Sequence, residues 1–182
     1  VRSDFEKSYV KRCLEIEESK IDLVPLQYRV PACDLMPPKE DFCFHASRLA
    51  ASNKNVPRLV EAAKKYGFNL VLAGMLASSE EKQWLHNMID GHANIKYVGQ
   101  LTDEELLSYY RRCKVFALPS ITEGVGMVAL EAAANGAEIV LTNDGGPKYY
   151  LKDHAEIINP YSVDDIGRAV MKLMERNVYQ PE

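Results

Sequence analysis

Two glutamates, Glu123 and Glu131, are separated by seven residues that contain a glycine-rich turn and the start of an apolar segment. Segment 127–134 contains no polar residue besides Glu131, so the helix predicted there is apolar nearly all round and should be buried. An ionised carboxylate that is buried without a partner is strongly destabilising. Glu131 therefore needs a cation, backbone donors or the hydroxyl groups of a ligand. The alternative is that Glu123 is a favourable charge at a helix N-terminus and that Glu131 forms an internal salt bridge.

Two cations, Arg48 and Lys54, bracket a predicted strand-to-helix loop. Arginine offers a bidentate fork and lysine a point charge, so together they could clamp a pyrophosphate. The alternative is a pair of solvated loop charges.

Glycines follow three of the predicted strands. The turn from Gly124 to Gly126 leaves backbone N–H groups accessible to an anion and keeps side chains away from it. Gly74 could let a ligand or a backbone segment come close, and Gly145-Gly146 precedes a proline that suits the first turn of a helix. These loops should lie along one edge of a sheet.

Six short apolar segments predict the strands, at 41–46, 69–73, 95–98, 114–118, 138–141 and 155–158. Longer stretches with helical periodicity lie between them. This alternation is typical of an α/β protein with a Rossmann-like parallel sheet and helices on both faces. In such a sheet ligands bind beyond the carboxyl ends of the strands, which is where the charged and glycine-rich loops fall.

Three helix starts show a serine or threonine followed by an acidic residue three positions later, which favours N-terminal capping: Ser3 with Glu6, Thr102 with Glu105, and Ser162 with Asp165. Leu106, Leu107 and Tyr110 give the second of these helices an apolar face. The last helix is predicted to bury Ile166, Ala169, Val170, Leu173 and Met174.

Residues 1–38 differ from the rest of the chain. After the helix at Ser3 we predict an extended segment at 21–26. Prolines then follow at 31, 37 and 38, where they exclude helix and favour an extended connection. This segment is interpreted as a linker that enters the domain at 39–182.

Composition excludes several functional classes. The 182 residues are 47% apolar and carry 22 basic against 26 acidic side chains, which gives no electrostatic reason to expect nucleic acid as a partner. No apolar run reaches the roughly 20 residues of a membrane span, and no signal-peptide core is present, so we expect a cytoplasmic protein. The four cysteines have no metal-ligand spacing, so we expect reduced thiols and no zinc site: Cys13, Cys33, Cys43 and Cys113.

The ordered set of motifs resembles the retaining glycosyltransferases of the GT-B type, in the large group 1 family (family 4) of bacterial surface-polysaccharide enzymes. The resemblance extends over residues 3–177, and the set is highly specific although each motif is common. In chain order the motifs are Ser47-Arg48-Leu49, Lys54-Asn55, Gly74, Tyr97-Val98-Gly99-Gln100-Leu101, Asp103-Glu104-Glu105-Leu106, Leu118-Pro119-Ser120, Glu123 with Glu131, and Gly145-Gly146.

The resemblance implies that 39–182 is the C-terminal, nucleotide-sugar-binding half of a GT-B fold. Arg48 and Lys54 would hold the diphosphate and stabilise the leaving group, and Glu131 would bind the ribose hydroxyls. Glu123 would hold the transferred sugar. The other donor-binding residues that it implies are Gly74, Val98 and Gly99, the latter two beside the base, and Gly124, Val125, Gly126, Met127 and Val128 at the helix start.

The resemblance also implies the partners. The donor is a nucleotide-diphosphate sugar, and we expect no metal and no cofactor, because the cations and a helix dipole can neutralise the departing diphosphate. An acceptor saccharide or lipid-linked sugar would bind an N-terminal domain that is absent here, and the complete protein could contact the inner membrane surface. We therefore expect these residues to fold without turning over.

Some residues depart from the family pattern. Lys54 lies one residue further from Arg48 than in many relatives, so Asn53 could bulge. Ala46-Ser47 replaces the more usual Val-Gly, and His45 is interpreted as a strand residue. Two other functions stay open: another sugar-nucleotide enzyme of the GT-B type, such as an epimerase or a synthase, and a non-catalytic nucleotide-binding module.

Overall fold

The computed structural model describes residues 1–24 and 37–176. Within them the chain forms one sheet of six parallel strands. The strands are β1 Glu40–Ala46, β2 Leu70–Ala73, β3 Ile95–Tyr97, β4 Cys113–Leu118, β5 Glu138–Thr142 and β6 Ala155–Ile158. Every predicted strand is confirmed to within one residue at each end.

The strands lie in the order β3-β2-β1-β4-β5-β6. The chain builds one half of the sheet outward from β1 and then returns to build the other half outward from β4. At this reversal Cys43 of β1 is paired with Leu70 of β2 on one side and with Val115 of β4 on the other. The carboxyl ends of β1 and β4 therefore flank the switch point at which doubly wound sheets bind ligands.

Helices cover both faces of the sheet, as predicted. The α-helices in the described residues are α1 Asp4–Leu14, α2 Val56–Tyr66, α3 Ser79–Ile89, α4 Asp103–Arg112, α5 Met127–Ala134, α6 Pro147–Leu151 and α7 Val163–Met174. One face is packed by α2, α3 and α7 and the other by α4, α5 and α6, so each face has its own apolar cluster.

The predicted caps form at the starts of three helices. The side chain of Thr102 accepts from the backbone N–H of Glu105, and that glutamate accepts in return from the backbone of Thr102, so α4 begins with a complete capping box. Ser162 caps α7 and Ser3 caps α1 in the same way on the serine side. Local hydrogen bonding therefore fixes where these helices begin.

Helix α5 is buried along one face only, which corrects the expectation that it is buried all round. Ala129, Glu131 and Ala132 are buried against the sheet. Met127 and Leu130, by contrast, are half-buried. The reason is that α5 lies at the surface of its layer, so its outer side is covered only in part.

The segment before β1 makes little contact with the sheet. Helix α1 buries none of its own residues, although the serine before it is buried. Ile21 has an extended backbone, and residues 22–24 continue without joining the sheet. The rest of the predicted extended segment, at 25 and 26, and the proline at 31 lie outside the described residues.

Three of the four cysteines lie in the described residues. Cys13, Cys43 and Cys113 are free thiols, and Cys33 lies outside the described residues. Among residues 1–24 and 37–176 no group of three or more histidine, cysteine or acidic side chains is arranged to hold a metal ion. Over the same ranges no helix is long and apolar enough to cross a bilayer.

We expect Gly167→Ala to destabilise the domain. A Cβ at Gly167 in α7 would overlap with the ring of Tyr66 in α2. Overpacking of this kind destabilises by about 1–3 kcal/mol, whereas alanine in place of a helical glycine would otherwise stabilise by about 1 kcal/mol. Urea unfolding measures the difference. In a Tyr66→Ala background the same substitution should be neutral or stabilising, and stabilisation in both backgrounds would contradict this packing.

Candidate functional site

Lys54 and Glu123 come together at the edge of the sheet where β1 and β4 end. The Nζ atom of Lys54 lies 2.6 Å from Oε2 of Glu123, and the hydroxyl of Ser120 donates to the same oxygen at 3.0 Å. The two charged side chains are only 21% and 12% exposed. Because the pair is largely shielded from water, it is stronger than an ordinary surface ion pair.

The loop after β1 carries Lys54 to this position. Ser52–Lys54 forms a 3-10 turn, and Asn55 follows with a left-handed φ of 59°. The carbonyl of Asn53 accepts from the backbone N–H of Ile121 at 2.7 Å. The 3-10 turn therefore brings Lys54 to this edge, and its backbone joins the loop after β4.

The side chain of Asn55 connects three loops. Its amide nitrogen donates to the carbonyl of Pro119 at 2.9 Å and to that of Pro160 at 2.7 Å, which ties the loops after β1, β4 and β6 together. Its Oδ1 accepts from Arg58 at 2.8 Å. The sequence alone missed this role. An asparagine directly before a helix start predicts an N-cap, but this side chain does not cap α2.

The loop after β5 supports the backbone of Glu123. The carbonyl of Glu123 accepts from the N–H of Gly146 at 2.9 Å, and the N–H of Glu123 donates to the carbonyl of Asp144 at 3.3 Å. A Cβ on Gly145 would overlap with the carbonyl of Glu123, and one on Gly146 with the carbonyl of Gly124. Close backbone approach therefore explains this glycine pair.

The backbone groups expected to meet an anion form the N-terminus of α5. Gly126 is the N-cap, with a φ of 62°, and no side chain among the described residues caps this helix. A Cβ on Gly126 would lie 3.3 Å from Cγ of Glu123, so the carboxylate lies beside the helix start. The first N–H groups of a helix lack intrahelical partners and carry partial positive charge. Of the other predicted residues here, Gly124 is exposed, and Val125, Met127 and Val128 are half-buried.

Glu131 lies about one turn further along α5 and is only 6% exposed. The hydroxyl of Tyr110 in α4 donates to its Oε2 at 3.3 Å. The sequence predicted that this carboxylate needs a partner. It did not identify Tyr110, which the helical pattern presented only as part of an apolar face.

Arg48 lies in the loop after β1 but does not join the ion pair. Its side chain is exposed and forms no hydrogen bond or ion pair with any residue that the structure describes. Its carbonyl accepts from the N–H of Ala51 at 3.0 Å, which starts the turn towards Lys54. The structure thus brings one of the two predicted cations to Glu123 and leaves the other in solvent.

His45 lies in β1 below this loop and is fully buried. Its Nδ1 is 2.8 Å from the carbonyl of Ala117 and its Nε2 is 2.7 Å from the hydroxyl of Ser47. Burial lowers the pKa of His45 to about 4, against the opposing effect of the Ala117 carbonyl. The ring is therefore neutral near pH 7, with Nδ1 donating to the carbonyl and Nε2 accepting from the serine. His45 is a strand residue, as predicted.

The loops after β2 and β3 contact each other. The N–H of Gly74 donates to the carbonyl of Gly99 at 2.8 Å, and the hydroxyl of Tyr97 donates to the carbonyl of Gly74 at 2.9 Å. Gly74 has a φ of 136°, and a Cβ there would overlap with the carbonyl of Ser47. It therefore lets the β1 loop approach β2 closely. Val98 and Gly99 are half-buried.

A family model described as "Glycosyl transferases group 1" matches residues 34–181, a range that contains the whole sheet and every residue of this edge. The chain belongs to this family. The resemblance inferred from the ordered motifs is confirmed. The fold class is confirmed as well, by the six-stranded parallel sheet and by solved structures that share this fold.

One curated relative is the serotype-specific mannosyltransferase WbdA of Escherichia coli, which is 33% identical over 86 residues, or 47% of this chain and 11% of that protein. The structure of sucrose-phosphate synthase (tll1590) from Thermosynechococcus elongatus matches 96% of this chain and 48% of its own, with a TM-score of 0.79 and 22% identity. A TarM mutant from S. aureus, in a complex that includes UDP, matches 97% of this chain and 36% of its own, with a TM-score of 0.78 and 15% identity.

These matches differ in what they establish. At 22% and 15% identity the two structural likenesses show the fold alone. The chain spans 48% or less of the length of each of these proteins. The family and the fold are therefore shown for this chain.

We expect the stability of this domain to fall as the pH is lowered from about 6.5 to about 4. Folding lowers the pKa of His45 from 6.5 to about 4, so the unfolded chain binds more protons in this range. The contribution of His45 to the free energy of unfolding is fully present above the unfolded pKa of 6.5. It falls by up to about 3 kcal/mol as the pH is lowered to about 4. His45→Asn retains a donor for Ala117 and removes this titration.

The measurement is urea unfolding of both proteins at several pH values. The variant should be less stable at pH 7, and its stability should depend less on pH than that of the wild type. The carboxylates titrate in both proteins, so the difference between the two curves isolates the histidine. Parallel curves would show that His45 is not held neutral.

Proposed function

We propose that this chain binds a nucleotide-diphosphate sugar and that the complete protein transfers the sugar to an acceptor, as a retaining hexosyltransferase. The observation that carries this proposal is the Lys54–Glu123 pair, which lies directly before the N-terminus of α5 at the switch point of the sheet. A cation and an uncapped helix end suit a diphosphate, and a carboxylate suits the hydroxyl groups of a sugar. The UDP complex of TarM supports this class of donor.

The diphosphate subsite is proposed to consist of Lys54, Arg48 and the backbone N–H groups at the start of α5. A lysine ammonium has three N–H donors, so its bond to Glu123 leaves two for phosphate oxygens. Arg48 is exposed in the same loop and can bring a bidentate fork to the same anion. The helix start adds positive potential at this place.

The sugar and nucleoside subsites are proposed on either side of the diphosphate. Both side-chain bonds to Glu123 converge on Oε2. Its Oε1 accepts no hydrogen bond from the residues that the structure describes, and so it can accept one from a hydroxyl of the transferred sugar. We assign Glu131 to the ribose hydroxyls, and the backbone of Val98 and Gly99 to the base.

In the proposed reaction the bond between the anomeric carbon and the diphosphate oxygen breaks. An oxygen of the acceptor hydroxyl forms the new bond with retained configuration, and the acceptor proton leaves with the diphosphate. Lys54, Arg48 and the start of α5 stabilise the charge that develops on the leaving group. Charge stabilisation of this kind makes no use of a metal or a cofactor.

For the complete protein we propose an N-terminal domain that ends at residue 38 with the interdomain linker. Helix α1 exposes Tyr9 and Leu14 instead of burying them on the sheet, which fits a helix that packs elsewhere. That domain would hold an acceptor saccharide or lipid-linked sugar. Synthesis of a polysaccharide or glycolipid would then take place in the cytoplasm at the inner membrane surface, and the present chain would bind the donor without transferring its sugar.

We expect Arg48→Ala and Lys54→Ala each to weaken nucleoside-diphosphate binding roughly tenfold or more, because each removes a charge-assisted bond to phosphate. Calorimetry of this chain with UDP, GDP and ADP measures the effect. Lys64→Ala, which removes an exposed lysine on α2, is the matched control and should leave the affinity unchanged. Arg48→Ala is the more informative variant. It removes no hydrogen bond or ion pair between described residues, whereas Lys54→Ala also deprives Glu123 of its ion-pair partner. If both variants bound the nucleotide with the affinity of the wild type, the proposed diphosphate contacts of Arg48 and Lys54 would be wrong.

We expect Glu123→Ala in the complete protein to lower sugar transfer by about 100-fold or more, as is typical when a stabilising contact in the active site is lost. Glu61→Ala, an exposed glutamate on α2, is the control. Product analysis is the measurement. Unchanged transfer in the variant would favour a non-catalytic module. A wild-type product formed without an acceptor would favour an epimerase.

A further inference from the structure

Tyr110 holds a hydrogen-bond donor in a fixed position below the edge of the sheet at which the strands end. Its side chain is fully buried, and its ring meets Phe44 and Phe116 edge to face, with centroids 5.8 and 5.5 Å away. Aromatic neighbours on two sides leave the ring little freedom to rotate. The hydroxyl is therefore held in one place, 3.3 Å from Oε2 of Glu131.

The direction of Tyr110 follows from its helix. Side chains of an α-helix lean towards its N-terminus, and α4 starts at this edge of the sheet, directly after the loop that contains Val98 and Gly99. Tyr110, two turns into α4, can therefore reach back towards the edge and meet Glu131, which lies about one turn into α5. The contact therefore joins α4, which follows the loop proposed to lie beside the base, to Glu131, which is proposed to bind the ribose.

The chemistry of the contact has one direction. The phenol hydroxyl of Tyr110 donates, and Oε2 of Glu131 accepts. Burial, and secondarily the charge of Glu131, raise the pKa of Tyr110 well above its ordinary value, so the phenol keeps its proton at any working pH. A permanent donor on one oxygen restricts the rotation of the carboxylate group, which fixes how it is presented to a ligand.

We propose that Tyr110 is a positioning residue that orients Glu131 for a ribose with free hydroxyls, and so sets the preference for ribonucleotide over dideoxynucleotide donors. This inference rests on the proposed function, in which Glu131 binds the ribose. Tyr110 itself does not touch the ligand. It acts through the geometry of the carboxylate.

The test compares the affinity of this chain for a nucleoside diphosphate with that for the dideoxy counterpart, which lacks both ribose hydroxyls. The probe is whichever of UDP, GDP and ADP the wild type binds most tightly by calorimetry. We expect the wild type to prefer the ribonucleotide, and Tyr110→Phe to reduce this preference by about tenfold, the effect of one hydrogen bond to a charged group. Inorganic pyrophosphate should bind both proteins equally, which shows that the fold and the diphosphate subsite are intact.

Two further variants separate positioning from packing. Tyr109→Phe removes the hydroxyl of the neighbouring tyrosine, whose ring stacks on Phe44 at 5.0 Å, and should leave the preference unchanged. In a Glu131→Gln background, Tyr110→Phe should have little further effect on the preference, because both changes act on one contact.

The outcomes separate this inference from the proposed function. If the wild type prefers the ribonucleotide and Tyr110→Phe keeps that preference in full, the positioning role is wrong while the ribose assignment of Glu131 stands. If the wild type shows no preference, or binds none of the three nucleotides, the ribose assignment fails and the inference fails with it.

Discussion

The shielded ion pair between Lys54 and Glu123 joins two loops whose charged residues are 69 positions apart in the sequence. Either charge alone would be unfavourable in so little water, because a desolvated ion needs a partner of opposite sign. The backbone bond from Ile121 to Asn53 lies beside the ion pair and also joins these two loops. The hydroxyl of Ser120 holds the same oxygen of Glu123 from within the loop after β4.

The edge of the sheet is made of loops, yet it is not loosely packed. Backbone segments approach each other so closely at Gly74, Gly145 and Gly146 that a Cβ would not fit. Loops held by direct backbone contact and by buried side chains stay in place before a ligand arrives. Preorganisation of this kind suits the charge stabilisation that we propose for this edge, because preformed donors need not rearrange when charge develops.

Local signals made much of the fold predictable. Strand bounds followed from short apolar runs, and the capping box at Thr102 fixed the start of α4. The contacts within the site could not be predicted in the same way, because they join residues far apart in the chain. Asn55 illustrates the limit. Its position favours an N-cap, but tertiary contacts use its amide to bridge Pro119 and Pro160 instead. Tyr110 fitted an apolar stripe, and only the fold showed where its hydroxyl points.

The bridge made by Asn55 limits how the loops around the proposed nucleotide site can change. The side chain of Asn55 links the loops after β1, β4 and β6, so none of these loops can shift to suit a bulkier ligand without displacing the others. Val98 and Gly99, which we propose to lie beside the base, are only half-buried and are not held by Asn55. In the proposed site, a substitution at Val98 would change the surroundings of the base and leave Lys54 and Glu123 untouched, so the preference for a base could change independently of the charged residues.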